Sequence, residues 1–143
     1  MRLIQLITFI GFIALLSSAC QPTASSTADN SSSSTEEGAK TEQILERLSV
    51  TEFKDKMAGT SGQSYLIDVR TPEEFADGHI EGATNINYHD DNFLDQIAQL
   101  DKDATVFVYC QAGGRSKKAS NLFKESGFKE IYDLKEGYGG WSE

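Results

Sequence analysis

The sequence is poor in several residue types: it has only two cysteines, two histidines, two prolines and one tryptophan. Two cysteines cannot build the disulfide framework that staples small secreted domains, so the fold must rest on a packed apolar core. With only His79 and His89 to join a cysteine, a metal site has few candidate ligands, and their spacing matches no common zinc pattern. Basic charge is also scarce. The formal net charge is −9, which excludes the cationic face that a nucleic-acid partner requires. No apolar run is long enough for a comfortable membrane span. Hydrophobic residues make up 38% of 143 residues, enough for one modest core but low for a fully packed chain. Two ordinary domains do not fit, and part of the chain is expected to lie outside the core.

What is present first is an export signal over 1–19. Arg2 gives a charged start, Leu3 to Leu16 is apolar apart from Gln5, Thr8 and Gly11, and Ser17-Ser18-Ala19-Cys20 follows. The arrangement resembles a bacterial lipoprotein signal, which implies lipidation of Cys20 and a mature chain beginning there. One departure is Ser17, where an aliphatic residue is usual. Ser17 and Ala19 also fit ordinary small-x-small cleavage, the alternative that leaves Cys20 unmodified. A thiol has no structural use in a disordered tail, which favours lipidation. The segment 20–41 is rich in Ser and Thr and reads as a flexible tether with a reach of roughly 25 Å. An exported protein of the bacterial cell envelope is expected, lipid-anchored to the membrane and facing the periplasm or the exterior.

One folded domain is expected over 42–143. Ser49-Val50-Thr51-Glu52 is a capping-box pattern opening a helix that carries Phe53 and Met57. Tyr65-Leu66-Ile67 reads as a buried strand ending at Asp68. Thr71-Pro72-Glu73-Glu74 opens a second helix, with Thr at the N-cap and Pro at the first helical position. Thr84 to Asn87 is a weak strand, and Phe93, Leu94, Ile97 and Ala98 have helical spacing. Thr105 to Tyr109 is the strongest strand, continuous in apolar character as when both faces are covered. A helix carrying Ala119, Leu122 and Phe123 follows, then a Gly127 stop, then a short strand over Glu130 to Asp133. Alternating strands and helices imply an α/β fold: a mostly parallel central sheet with helices on both faces.

The most informative stretch is Tyr109-Cys110-Gln111-Ala112-Gly113-Gly114-Arg115-Ser116-Lys117-Lys118. It runs from the end of the best strand into a helix, where open parallel sheets bind ligands. Its backbone N–H groups and helix dipole would stabilise an anion, and Gly113 and Gly114 would allow close approach. A thiolate there should be more acidic and more reactive than an ordinary thiol. Arg115, Lys117 and Lys118 stand in a stretch with no acid from Val106 to Asn121. As a solvated basic face they need no function, and a buried cysteine is often an inert packing residue. A cysteine followed by two glycines and cations at a strand-to-helix junction argues instead for a reacting Cys110.

A second thiol is missing from the folded part, which excludes dithiol redox cycling. A Cys-His hydrolase using His79 or His89 stays open. Cysteine phosphatases carry a Cys-x5-Arg loop, and here the run from Cys110 to Arg115 is one residue shorter.

Several separated blocks between Val50 and Trp141 resemble the rhodanese (thiosulfate sulfurtransferase-like) domain family. They are Leu66-Ile67-Asp68-Val69-Arg70-Thr71-Pro72-Glu73-Glu74-Phe75, Gly78-His79-Ile80-Glu81-Gly82-Ala83, the loop Cys110 to Ser116, Gly127-Phe128, and Gly137-Tyr138-Gly139-Gly140-Trp141. Glu81 stands where proline is usual and Glu136 where a glycine is common. The resemblance implies sulfur transfer through a Cys110 persulfide, from a small anionic donor such as thiosulfate to a thiophilic acceptor. A carrier that holds the persulfide for a partner is the alternative. No cofactor and no metal are implied, and a monomer is expected. Catalysis falls to Cys110, and binding of substrate or persulfide to Gln111, Ala112, Gly113, Gly114, Arg115 and Ser116. Arg115 is expected to orient a sulfonate-bearing donor and Ser116 to cap the helix. Asp68 and Arg70 are expected in buried hydrogen bonds or an ion pair, with Glu73 or Glu74 as partner of Arg70. His79 should stabilise its turn, and Trp141 should pack as a core aromatic.

Overall fold

The computed structural model describes residues 42–141. The signal 1–19, the lipidation site Cys20 and the tether 20–41 therefore lie outside the described residues. The elements are β1 (Ile44–Leu48), α1 (Val50–Gly59), β2 (Ser64–Asp68), α2 (Pro72–Ala76), β3 (Thr84–Asn85), α3 (Phe93–Ala98), β4 (Thr105–Tyr109), α4 (Gly114–Glu125) and β5 (Glu130–Leu134), closed by a 3₁₀ turn (Tyr138–Gly140). The strands form a single sheet in the order β1-β5-β4-β2-β3, and every pairing is parallel.

Both helix starts follow the sequence logic. Ser49 N–H donates to Glu52 at 2.9 Å and Thr71 N–H donates to Glu74 at 3.0 Å, each Glu closing a capping box. These reciprocal bonds satisfy donors that a helix start otherwise leaves unpaired. All five residues of β4 are buried, because the strand lies between β5 and β2 and both its faces are covered. Val106 and Val108 face a core layer made with Phe93 and Ile97 of α3 and Ala119 and Phe123 of α4. Phe107 and Tyr109 face the opposite layer, with Phe53 of α1, Ile80, Tyr132 and Leu134. The two-residue alternation of a strand thus feeds both cores at once.

Two elements differ from the sequence reading. β1 was not foreseen: its run ILERL carries two charges, and only pairing with β5, Ile44 against Glu130 through Leu48 against Leu134, makes it a strand. β3 is limited to two residues. Beyond it the chain stays beside β2 through Ile86 N–H to the Asp68 carbonyl at 3.0 Å and Tyr88 N–H to the Val69 carbonyl at 3.2 Å.

Candidate functional site

Cys110 follows the carboxyl end of β4 and is 2% exposed. The next residues bend back so that α4 starts at Gly114, with Gly113 as its N-cap in the left-handed conformation at φ 75°. A Cβ on Gly113 would collide with the Lys135 carbonyl. Gly113 is therefore required by both conformation and space, whereas the Gly114 position has open room around it. The expectation that both glycines serve close approach holds only for Gly113.

The carbonyls of this loop are engaged from outside it. Tyr138 N–H donates to the Cys110 carbonyl at 2.7 Å and Gly139 N–H to the Gln111 carbonyl at 2.9 Å. Arg47 Nη2 donates to the Gly113 carbonyl at 2.9 Å. In a planar trans peptide the following N–H points the opposite way. Fixing the Gln111 carbonyl therefore turns the Ala112 N–H toward the cysteine sulfur, while the Arg115 and Ser116 N–H groups come from the first turn of α4. Burial pushes the Cys110 thiol up, but the surrounding donors, among them the N–H groups of Ser116, Ala112 and Arg115, outweigh it. The thiol ends below its ordinary value, as a thiolate held at a helix N-terminus should.

Arg115 does not stand free to meet a donor. Its two terminal nitrogens donate to the two Glu74 oxygens at 2.6 and 2.7 Å, a bidentate pair. This pair holds the Glu74 carboxyl down at about 2, with burial opposing and the Thr71 N–H assisting. Arg115 also faces the Cys110 sulfur, whose negative charge adds to the Glu74 carboxylate in raising the guanidinium. The expected pairing of Arg70 with Glu73 or Glu74 is corrected as well. Arg70 binds Asp68 instead, Nε to both carboxylate oxygens and Nη2 to Oδ2 at 2.7 Å. Adjacency in one strand end makes that the nearer carboxylate. Arg70 then donates to the Gly78 carbonyl at 2.6 Å and to Gln111 Oε1 at 3.1 Å, reaching the loop from the side.

Ser116 is not a cap. It lies inside the first turn of α4, fully buried, and its Oγ has no hydrogen-bond partner. Gly113 occupies the N-cap because the chain must turn left-handed there. His79 stacks on Phe75 with ring centroids 3.8 Å apart, and its Nδ1 lies 3.0 Å from the Phe75 carbonyl, stabilising its own turn as expected. Trp141 packs edge-on against Phe53. No group of three or more His, Cys, Asp or Glu suited to a metal occurs among the described residues. Tyr109 fixes the Gly78–Ala83 segment to β4 by accepting the Ile80 N–H at 3.1 Å.

The structure places Cys110 and its loop at the junction of β4 and α4, and sequence reasoning did not foresee Arg47, Tyr138 and Gly139 as outer clamps of that loop. Sequence reasoning also missed Glu74 as the partner of Arg115. Tyr138 and Gly139 belong to the GYGGW run, which carried a signal without a stated role. Arg47 carried none.

Residues 49–143 match the rhodanese-like domain family. Thiosulfate sulfurtransferase 16 of Arabidopsis thaliana is 35% identical over 115 residues, covering 73% of this chain and 93% of that protein. A thiosulfate sulfurtransferase of Shewanella oneidensis is 34% identical, covering 69% of this chain and 94% of that protein. A rhodanese-like domain protein from Staphylococcus aureus superposes with a TM-score of 0.59 at 25% identity, over 69% of this chain and 93% of that one. With its parallel sheet, the loop after β4 and these relatives in agreement, the chain belongs to the rhodanese-like domain family.

Proposed function

We propose that the protein is a thiosulfate-type sulfurtransferase working through a persulfide on Cys110. The observation that carries this reading is a thiol depressed by the N–H groups of Ala112, Arg115 and Ser116, in a loop whose Cys110, Gln111 and Gly113 carbonyls are held from outside it. Those donors favour a negatively charged sulfur over a neutral one, as an oxyanion hole favours a charged oxygen. The Cys110 thiolate attacks the outer sulfur of thiosulfate. A sulfur–sulfur bond forms to Cys110, the bond to the sulfonate sulfur breaks, and sulfite leaves with its electron pair. The persulfide keeps one negative charge on its outer sulfur. A thiophilic acceptor such as cyanide then takes that sulfur and returns Cys110 to the thiolate, so atoms and charges balance over the two displacements. Sulfurtransferase relatives of about a third identity support the reaction class.

Arg115 supplies positive charge beside the sulfur, and a sulfonate-bearing donor competes with Glu74 for its guanidinium. Gln111, held by Arg70, forms the adjoining rim. The test is intact-mass analysis after thiosulfate, followed by thiocyanate production from cyanide. Wild type should gain the mass of one sulfur atom and lose it to cyanide. Cys110→Ser should do neither while keeping its far-UV spectrum; turnover by that variant would overturn the assignment. A persulfide that forms but is never released to small acceptors would make the protein a carrier. We further propose that the domain is exported and held at a membrane through Cys20.

A further inference from the structure

Arg47 ties the edge strand β1 to the first peptide of α4, and the sulfur-transfer steps do not use it. β1 pairs with β5 in parallel, with Arg47 directly opposite Asp133. Both stand near the carboxyl ends of their strands, the edge of the sheet at which the Cys110 loop lies. Asp133 is fully buried, and Arg47 Nε donates to its Oδ2 at 2.5 Å. Asp133 Oδ1 has no hydrogen-bond partner, so the carboxylate leans on Arg47. The other arm of the guanidinium, Nη2, donates to the Gly113 carbonyl at 2.9 Å. A Cβ on Gly113 would itself come within 2.9 Å of that nitrogen. A buried ion pair adds little stability over apolar side chains of similar size, and an unsatisfied buried oxygen adds to its cost. What the pair supplies is direction.

We propose that Arg47 is a positioning residue for the chemistry at Cys110: anchored on Asp133, it sets the plane of the Gly113–Gly114 peptide and with it the N–H groups that open α4. The inference rests on Cys110 being the reacting thiol. Gly113 is the N-cap of α4 and Gly114 its first residue. With the Gly113 carbonyl held against Arg47, the planar peptide turns the Gly114 N–H the opposite way. The N–H groups of Gly114, Arg115 and Ser116 run nearly parallel in the first turn of the helix and lack partners within it. Those of Arg115 and Ser116 act on the Cys110 sulfur. A glycine at a left-handed φ of 75° has no side chain to restrain it, and the bond from Arg47 supplies a restraint. Arginine suits the task because its rigid planar fork reaches two acceptors at once. A lysine ammonium is a single point and would stay with the charged partner, Asp133.

The experiment compares the full chain with its Arg47→Lys and Arg47→Met variants by the pH dependence of iodoacetamide alkylation, read at the Cys110 peptide. Lysine keeps the positive charge and the pair with Asp133 but gives up the Gly113 carbonyl, whereas methionine gives up all three. Both should raise the alkylation midpoint by about one pH unit, the scale of one hydrogen bond to a charged group. In urea, Arg47→Met should be the less stable, because it leaves Asp133 buried and unpaired. An Arg47→Lys midpoint equal to or below the wild type would overturn the proposal, whatever Arg47→Met does; a shift in Arg47→Met alone would mean charge acting through space. An Arg47→Lys protein without the wild-type far-UV spectrum would show that the residue holds the fold rather than the site, and would overturn it too. Alkylation by a neutral reagent needs no sulfur donor, so failure of sulfur transfer would leave this test standing.

Discussion

Glu74→Gln is expected to tighten thiosulfate binding, although it removes an ion pair. Glu74 closes the α2 capping box and also holds both terminal nitrogens of Arg115. Glutamine keeps an oxygen to accept the Thr71 N–H, so the cap survives. What is lost is the charge that competes with a sulfonate for Arg115. A carboxyl lowered from 4.5 to about 2 corresponds to about 3 kcal/mol of coupling to its surroundings. The Glu74 side chain is 33% exposed, so solvent screening reduces this, and about 1–2 kcal/mol is the better figure. Released to the donor, that coupling lowers the thiosulfate KM by roughly five- to thirtyfold, with kcat little changed. The protein should lose about 1–2 kcal/mol of stability in urea at neutral pH. The sign of the pH dependence follows from the depressed carboxyl. The pair stabilises the fold fully above the ordinary carboxyl range, and the benefit is lost as pH falls from there through about 2. Wild type and Glu74→Gln should therefore converge in stability at the acid end. Steady-state assays with Arg115→Ala and the double variant complete the test. A KM that rises or stays put in Glu74→Gln, or that falls equally without Arg115, would refute the competition.

The remaining expectations concern the loop's outer clamp and the N-terminus. Gly137 sits at φ 65° and ψ −168°, a glycine-only conformation, and a Cβ there would lie 2.6 Å from the Gln111 carbonyl carbon. Gly137→Ala should cost about 2 kcal/mol or more in urea unfolding and slow Cys110 alkylation, by displacing the turn that fixes the loop carbonyls. An unchanged unfolding midpoint would count against that clamp. Fractionation of expressing cells should place the wild type with membranes and release Cys20→Ser; equal release of both would end the proposed anchor.

Much of this architecture is legible in local chemistry. The capping boxes at Ser49 and Thr71 are spelled by residues three apart, and their bonds form within one turn. The continuous apolar run of β4 announces a strand covered on both faces, and a cysteine with glycine and cations after it marks the strand-to-helix junction. Cys110 at that junction is thus available to anyone reading the chain. The partners of those residues are not. β1 becomes a strand only by pairing with residues 86 positions later, Ile44 against Glu130, and its charged run carries no period to betray it. Arg115 was expected to meet a donor and Arg70 to meet Glu73 or Glu74, and only the placement of α2 beside the start of α4 gave Glu74 to Arg115. Arg47, Tyr138 and Gly139 converge on the loop from both ends of the domain to orient its peptides. Local propensity fixes which residues can bond, while tertiary packing decides which of them meet, because a hydrogen bond needs both groups within about 3 Å and few local rules reach across a sheet.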